Sequence, residues 1–381
     1  MTGVRFGPQK AFKLSGILLL ALLFFPPSTG GQSNPADFAD VASKASAARE
    51  QNDIPQAVAL YNQAVQIKPD WQDGWWYLGS LQYATNSYPA AIDALNHYLQ
   101  LMPKAAPAFA LRGLSEFETG EYSQSLQDIQ QALTLGAANQ SKNEEILRYH
   151  EALLLTRTGK FQEALESYRY FAQKGIINPE LLGAIGLAGL RVPFFPKDIA
   201  PEKQDLFLAA GDAAYRFMAG GQKNADEAFR DLFQRFPTAV NTHYLYGYLL
   251  FPTNPDQALE EFKKELEVSP ANAPANEMLA WSALTGNDAA TALPYAKKAM
   301  ALDPTLPGAQ LVLGRSLTET GDLQRGIDQL EQALKTDPEN LEIHIALATA
   351  YSRAGRKEDS RRERLWCLRA ANSGTGQIAH P

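Results

Sequence analysis

Apolar and small residues recur at helical spacing along most of this chain, and prolines close the successive segments. Two such prolines are 34 residues apart in the first half, and four in the second half are 33, 34 and 34 residues apart. A fixed period of this length predicts a repeat architecture in which each unit is one small motif of secondary structure. The closing prolines are Pro69, Pro103, Pro237, Pro270, Pro304 and Pro338.

The order of residues inside a unit is also fixed. In the unit that begins near residue 72, Trp75, Leu78 and Gly79 come first, Ala91 follows, and Pro103 ends the unit. The apolar spacing predicts a pair of antiparallel helices in which small residues let the two helices approach and the proline ends the second helix. The alanines expected at the helix crossing are Ala57, Ala91, Ala164, Ala225, Ala258 and Ala292. The glycines expected between paired helices, at a positive φ, are Gly120, Gly159, Gly321 and Gly355.

This pattern of Trp, Leu-Gly, Tyr, Ala, Phe, Ala and Pro resembles the tetratricopeptide repeat. The resemblance implies an all-α fold, a right-handed α-solenoid of about nine helix-turn-helix repeats that is interrupted by one insertion. It divides the chain into an N-terminal repeat block, residues 38–178, and a C-terminal repeat block, residues 206–371. The units begin near residues 38, 72, 106, 145, 206, 240, 273, 307 and 341.

Residues 179–205 interrupt the period with one helix that has no predicted partner and a proline-rich loop. We expect Phe194 and Phe195 in that loop to fill the seam between the two blocks; the alternative is a partner-binding tip. The helix carries three glycines at intervals of three, which predict close packing against a neighbouring helix: Gly183, Gly186 and Gly189.

The N-terminus has the pattern of a secretory signal peptide. Three basic residues precede an apolar run over residues 14–25, and prolines and small residues follow the run. A run of this length spans about 18 Å as a helix, against roughly 30 Å for a hydrocarbon core. We therefore predict a signal peptide over residues 1–31, an exported chain that is periplasmic or secreted, and only a transient membrane contact. Residues 372–381 are predicted to be a disordered tail.

Net charge and the absence of known motifs argue against several classes of function. The formal net charge is −7 and becomes −10 without residues 1–31, which argues against nucleic acid as a partner because such binding depends on neutralised phosphates. Cys367 is the single cysteine, and the five histidines are scattered. The sequence His150-Glu151 lacks the second histidine of a zinc protease motif, and neither a nucleophile elbow nor a phosphate-binding loop is present. We predict no catalytic residues, no metal site, no cofactor and no enzymatic activity.

In the family that the repeats resemble, the first helix of each unit lines a concave surface. This register places aromatic residues and one arginine on the concave wall, where they suit an extended peptide or a sugar ring. The first hypothesis is a non-enzymatic exported scaffold that binds a protein or peptide in this groove, in the cell envelope. The alternative is a glycan- or polymer-binding accessory protein, and an unrecognised enzyme is the least supported class. The predicted partner-binding residues are Trp76, Tyr83, Tyr149, His150, Tyr244, Tyr248, Trp281 and Arg315.

Overall fold

A computed structural model describes residues 35–137, 141–306 and 308–373 of the chain. Within these ranges the regular secondary structure is helical, with nineteen α-helices and two short 3-10 helices. None of the helices in these ranges combines the length and the apolar composition that crossing a bilayer requires. The predicted signal peptide and the predicted tail beyond residue 373 lie outside the described residues.

The α-helices follow one another with short connections. They are α1 (Pro35–Glu50), α2 (Ile54–Ile67), α3 (Gln72–Ala84), α4 (Tyr88–Leu101), α5 (Ala106–Thr119), α6 (Tyr122–Thr134), α7 (Ser141–Arg157), α8 (Phe161–Lys174), α9 (Pro179–Gly189), α10 (Gln204–Gly220), α11 (Gln222–Arg235), α12 (Thr242–Leu250), α13 (Pro255–Val268), α14 (Ala273–Thr285), α15 (Ala289–Leu302), α16 (Ala309–Glu319), α17 (Leu323–Thr336), α18 (Leu341–Arg353) and α19 (Lys357–Ser373). The 3-10 helices are Pro196–Asp198 and Pro201–Lys203.

Nine pairs of consecutive helices follow the nine predicted units, and α9 stands between the fourth and the fifth pair. The contacts between helices divide the chain into two compact units, with the division between Tyr168 and Arg169 inside α8. In each unit, first helices of successive pairs touch one another, as α3 touches α5 and α14 touches α16. The repeat fold predicted from the period is confirmed.

Small residues hold each helix pair together, as predicted. The six crossing alanines have no exposed surface. A Cβ atom added to Gly79 of α3 would lie 2.8 Å from the Leu95 side chain and 3.5 Å from the Ala91 carbonyl oxygen of α4. In the eighth pair, a Cβ atom on Gly314 would lie 3.1 Å from the Gly326 carbonyl oxygen. The paired helices therefore approach more closely than larger side chains would permit.

Seven of the nine turns between paired helices contain one left-handed residue. The predicted glycines occupy it with φ between 76° and 98° in four pairs. Asparagine occupies the same place in three other pairs, with φ of 58° to 59°. The sequence analysis did not single out these asparagines, although asparagine is the side chain that best tolerates this conformation after glycine. The asparagines are Asn52, Asn86 and Asn287.

We expect Gly321→Ala to lower the free energy of unfolding by about 1–2 kcal/mol, because an added Cβ disfavours the left-handed conformation. Gly321 has a φ of 98° and no neighbour within 4 Å of an added Cβ, so the cost is conformational. Gly286→Ala is the matched control, since Gly286 lies in the corresponding turn at a φ of −80°. Urea denaturation should show a lower midpoint for the first variant alone; equal midpoints would contradict the account.

The prediction that α9 has no partner is wrong, because α9 packs tightly against α10. A Cβ atom on Gly186 would lie 1.9 Å from the Phe207 carbonyl oxygen, and one on Gly211 would lie 1.8 Å from the Leu182 carbonyl oxygen. The two backbones are thus in direct contact at two glycines, one on each helix. Helix α10 therefore packs against α9 as well as against α11, its partner in the fifth pair.

The other expectations for the insertion are met in part. Gly189 faces Leu245 of α12, where a Cβ atom would lie 2.7 Å from a side-chain carbon, whereas Gly183 has nothing within 4 Å. The predicted close contact at Gly183 is therefore wrong. Phe195 is 4% exposed and Phe194 is 51% exposed, so the expectation that both rings are buried fails for Phe194. Adjacent residues in an extended segment point to opposite sides, which accounts for the difference.

Candidate interaction face on the first helices

The fifth and ninth residues of each unit lie one turn apart on the first helix and share one side of it. We call the surface that these positions form in each compact unit the first-helix face. In the second compact unit, its residues are Tyr244 and Tyr248 on α12, Glu277 and Trp281 on α14, Leu311 and Arg315 on α16, and Ile345 and Thr349 on α18. In the first compact unit, the residues on α3 are Trp76 and Ser80, with Tyr83 one turn further along.

Part of the first-helix face is covered by the residues that follow α9. The Arg191 guanidinium carbon lies 5.5 Å from the centre of the Tyr244 ring, and the Asn241 side-chain amide donates a hydrogen bond of 2.9 Å to the Leu190 carbonyl oxygen. Tyr244 is 4% exposed, and its ring also stacks against Tyr248 at 6.3 Å and lies 5.9 Å from Phe262 of α13. The insertion therefore occupies the face at α12.

A hydrogen-bond network fixes the start of α12 beneath this cover. The Glu265 carboxylate accepts from the backbone N–H groups of Asn241, at 2.8 Å, and Tyr244, at 3.2 Å. The Asn272 amide donates to Glu265 at 3.0 Å and to the Asn241 side chain at 2.7 Å. Burial raises the pKa of Glu265, and these donors oppose the rise by stabilising the carboxylate. The network holds Asn241, at a φ of 69°, and thereby positions Tyr244.

Glu277 is a buried carboxylic acid on the face. Its side chain is 4% exposed, and burial raises the pKa of its carboxyl to about 8, against the opposing influence of Arg191 and of a hydrogen bond from the Gly308 backbone. The adjacent Asn276 is fully buried; its amide donates to the Asn272 carbonyl oxygen at 2.7 Å. A carboxyl with a raised pKa and an amide thus lie inside the wall at α14. The sequence analysis missed Glu277 and Arg191, although the register alone places Glu277 on the face.

The open part of the face lies on α16 and α18. Arg315 places its guanidinium 5.2 Å from the centre of the Trp281 ring and lies 3.8 Å from the Glu319 carboxylate. Trp281 itself is 4% exposed, whereas Ile345 is 45% exposed. Thr349, one turn beyond Ile345, is also exposed. This region offers an arginine, an apolar side chain and a hydroxyl group side by side.

In the first compact unit, the predicted aromatic residues are half-buried. Trp76 and Tyr83 pack against a cluster that includes Leu95 and Leu111. The Trp76 ring lies 5.5 Å from Tyr98, and burial raises the pKa of Tyr83 to about 12. Both rings therefore contribute to packing and retain only partial exposure.

Trp75, next to Trp76 on α3, is 7% exposed. Its indole N–H donates to the Pro69 carbonyl oxygen at 2.8 Å. Its ring stacks on His97 with the ring centres 4.2 Å apart. Trp75 therefore packs within the chain, and Ser80 on the first-helix face is also buried, at 7% exposure.

Tyr149 and His150 lie together on α7, with ring centres 6.2 Å apart. The Nδ1 atom of His150 is 2.8 Å from the Ile146 carbonyl oxygen, and its ring meets Phe117 edge-on at 4.8 Å. Burial lowers the pKa of His150, which favours a neutral ring that packs between helices. Only Tyr149 of this pair remains a candidate for surface contact.

Neither a metal-binding cluster nor a cysteine with a lowered pKa is found among the described residues. No group of three histidine, cysteine, aspartate or glutamate side chains in this part of the chain could hold a metal ion. Cys367 is half-buried, and burial raises the pKa of its thiol, which lowers the fraction of reactive thiolate. The first-helix face remains the candidate site, and its chemistry is that of contact surfaces.

Comparison with known proteins agrees with this architecture. Two family models described as tetratricopeptide repeat match the chain, one over residues 43–108 and 253–307 and the other over residues 317–363. Among solved structures, MamA from Desulfovibrio magneticus RS-1 is 19% identical, with 46% of this chain and 97% of that chain covered and a TM-score of 0.38. Yeast Tom70 is 13% identical, with coverage of 89% and 85% and a TM-score of 0.33. With nine helix pairs in the predicted register and the repeat models on three segments, this chain is a tetratricopeptide repeat protein.

Proposed function

We propose that this protein is a non-enzymatic scaffold that binds a protein or peptide partner on the open part of its first-helix face, in the cell envelope. The observation that carries the proposal is the strip formed by the exposed Ile345 and Thr349 and the half-buried Arg315, next to the buried Trp281. Such a strip combines apolar area with a charged group and a hydrogen-bonding group, as peptide-binding surfaces do. Helices that are already packed lose little conformational freedom on binding, which favours affinity.

The glycan-binding alternative is weakened by burial. A sugar ring needs an accessible aromatic face on which to stack. Trp281 and Tyr244 are each 4% exposed, and an arginine lies against each ring. Two of the predicted aromatic platforms are therefore occupied within the chain itself.

The proposal includes export from the cytoplasm, and its only support is the signal-peptide pattern of residues 1–31. If the chain is exported and cleaved as proposed, the mature protein should begin near residue 32. Fractionation of the native cell followed by N-terminal sequencing measures both. A full-length chain in the cytoplasmic fraction would reject export and would leave the interaction proposal to its own test.

We expect a photo-crosslinking amino acid at Ile345 or Thr349 to capture a partner in the native cell. Both positions are exposed, so the replacement should leave the fold intact. Leu302 is the matched control because it is 40% exposed and lies on a second helix, α15. Variants at Trp76 or Trp281 are unsuitable since both side chains pack inside the chain.

Mass spectrometry of the crosslinked products decides the outcome. A protein that is captured from residues 345 and 349, and not from residue 302, would support the proposal and identify the partner. A partner captured equally well from residue 302, or from that residue alone, would reject the first-helix face as the binding surface.

A further inference from the structure

The last helix presents a surface that the repeat architecture normally buries. Helix α19 is the second helix of the ninth pair. On its outer side Leu365 is 48% exposed and Leu368 is 61% exposed. They lie in an open depression of about 480 Å³, and we call this surface the α19 face. Its residues are Glu358, Arg361, Arg362, Leu365, Leu368 and Arg369.

Equivalent positions in earlier repeats show what a surface of this kind contacts. Val65 and Leu99 both lie four residues before the closing proline of their units, and they are 0% and 7% exposed. Val65 shares a cluster with Trp75 of the next first helix, and Leu99 shares one with Leu111 of the next first helix. This position is therefore the one on which the following pair packs.

Leu368 holds the same position in the ninth pair, one period of 34 residues after Leu334. Leu365 likewise follows Glu331, whose carboxylate accepts a hydrogen bond of 2.7 Å from Tyr351 of the next pair. Leu365 and Leu368 thus occupy positions that, in earlier pairs, contact the first helix of the next pair. Among the described residues no tenth pair follows them.

The first helix that the structure describes, α1, has a polar outer surface. The exposed side of α1 carries Asp40, Ser43, Lys44 and Ala47, and the Lys44 ammonium pairs with Asp40 at 2.7 Å. A polar outer surface is what a terminal repeat needs for solubility. Because α1 offers no apolar stripe, it is a poor counterpart for Leu365 and Leu368 in a head-to-tail contact between two copies.

Charge indicates the nature of the missing helix. The α19 face has three arginines and one glutamate, in a chain whose formal net charge is −7. Arg362 is also paired within its own helix, with Asp359 at 2.7 Å and with Glu363 at 2.9 Å. Two copies that met through this face would bring like charges together, which opposes association. An acidic partner surface would complement it.

We propose that the α19 face binds an acidic amphipathic helix of another protein, which packs as the first helix of a tenth pair would. Apolar side chains three or four residues apart on that helix would contact Leu365 and Leu368. Carboxylates beside this stripe would face Arg361 and Arg369. The site is separate from the first-helix face, so either can fail without the other.

The test uses two synthetic helical peptides and the full chain. Both peptides carry apolar residues at the spacing of Ile343 and Leu347 of α18; one has glutamates beside the stripe, and the other has lysines at those positions. By fluorescence anisotropy we expect the glutamate peptide to bind at least about tenfold tighter. Its affinity should fall as salt rises from about 50 to about 200 mM, because the arginines are exposed to solvent.

The variant Leu365→Glu/Leu368→Glu should lose at least about tenfold in affinity for the glutamate peptide. Both side chains are exposed, so the fold should persist, which circular dichroism checks. Val240→Glu is the matched control, because Val240 is 47% exposed and lies outside the face. Equal binding of the two peptides, or unchanged binding by the double variant, would overturn the proposal.

Two further results would assign the face to another occupant and so would also overturn the proposal. The first is a dimer in analytical ultracentrifugation that Leu368→Glu dissociates, which would favour a second copy. The second is a peptide affinity that rises at least about tenfold when residues 374–381 are removed, which would show that the chain's own tail occupies the face.

Discussion

Gly186→Ala is expected to lower the free energy of unfolding by about 3 kcal/mol, the upper part of the usual range for overpacking. The methyl group would lie 1.9 Å from the Phe207 carbonyl oxygen, and backbone cannot move aside as a flexible side chain can. Helices α9 and α10 would have to separate, which would also displace Arg191 from Tyr244. Gly211→Ala should have an effect of similar size, because its Cβ would lie 1.8 Å from the Leu182 carbonyl oxygen.

The same helix provides the control with the opposite sign. Gly183 lies three residues before Gly186 in α9, and an added Cβ would meet nothing within 4 Å. Gly183→Ala should therefore stabilise the protein by about 0.5–1 kcal/mol through helix propensity. Urea denaturation followed by circular dichroism should show opposite shifts of the midpoint for the two variants. Shifts in the same direction would show that the two helices do not meet as described.

The sequence predicted the repeats well because each unit carries its own local signals. Helical spacing, a crossing alanine and a closing proline are all read within one period of about 34 residues, and they recur. The nine pairs, the buried alanines and the four turn glycines agree with the structure for this reason. Asn52, Asn86 and Asn287 were missed because asparagine has other roles in a sequence, and only the backbone shows its left-handed conformation.

The insertion and the site were predicted less well, because their structure depends on residues far apart in sequence. Tyr244 is buried by Arg191, which lies more than fifty residues earlier in the chain. The sequence pattern did not predict that Gly211 would be a contact point. Only the packing of α10 against α9 shows that it lies against the α9 backbone, as Gly186 lies against α10. Periodicity indicates which side of a helix a residue occupies, and it does not indicate what covers that side.

These observations give the insertion a role in shaping the interaction surface. Its Arg191 lies against the buried Tyr244, whereas Ile345 and Thr349 of α18 are exposed. In the proposed function, a partner would therefore meet the later pairs of the second compact unit first. Contact with α12 would require displacement of Arg191, which also lies close to the buried Glu277.

We expect Glu277→Gln to remove a loss of stability that the natural protein suffers between pH 5 and pH 8. Burial raises the pKa of the folded carboxyl from the ordinary value of 4.5 to about 8. Between these two values the folded chain holds a proton that the unfolded chain releases, so the free energy of unfolding falls as pH rises. The contribution is fully present below pH 4.5 and is lost by about pH 8. Since each pH unit is worth about 1.4 kcal/mol, the loss is on the order of 4 kcal/mol.

Glutamine keeps the shape and the hydrogen-bonding oxygen of the protonated glutamate but does not titrate. Urea denaturation of both proteins from pH 5 to pH 8.5 should therefore give a difference in stability that grows with pH in favour of the variant. Other buried carboxyls, such as Glu116, titrate in both proteins and cancel in the difference. Arg191→Met should extend the natural protein's loss to higher pH and make it larger, because Arg191 lowers the pKa of Glu277. A difference that stays constant over this range would show that Glu277 is ionised in the folded protein and that the first-helix face holds a buried negative charge.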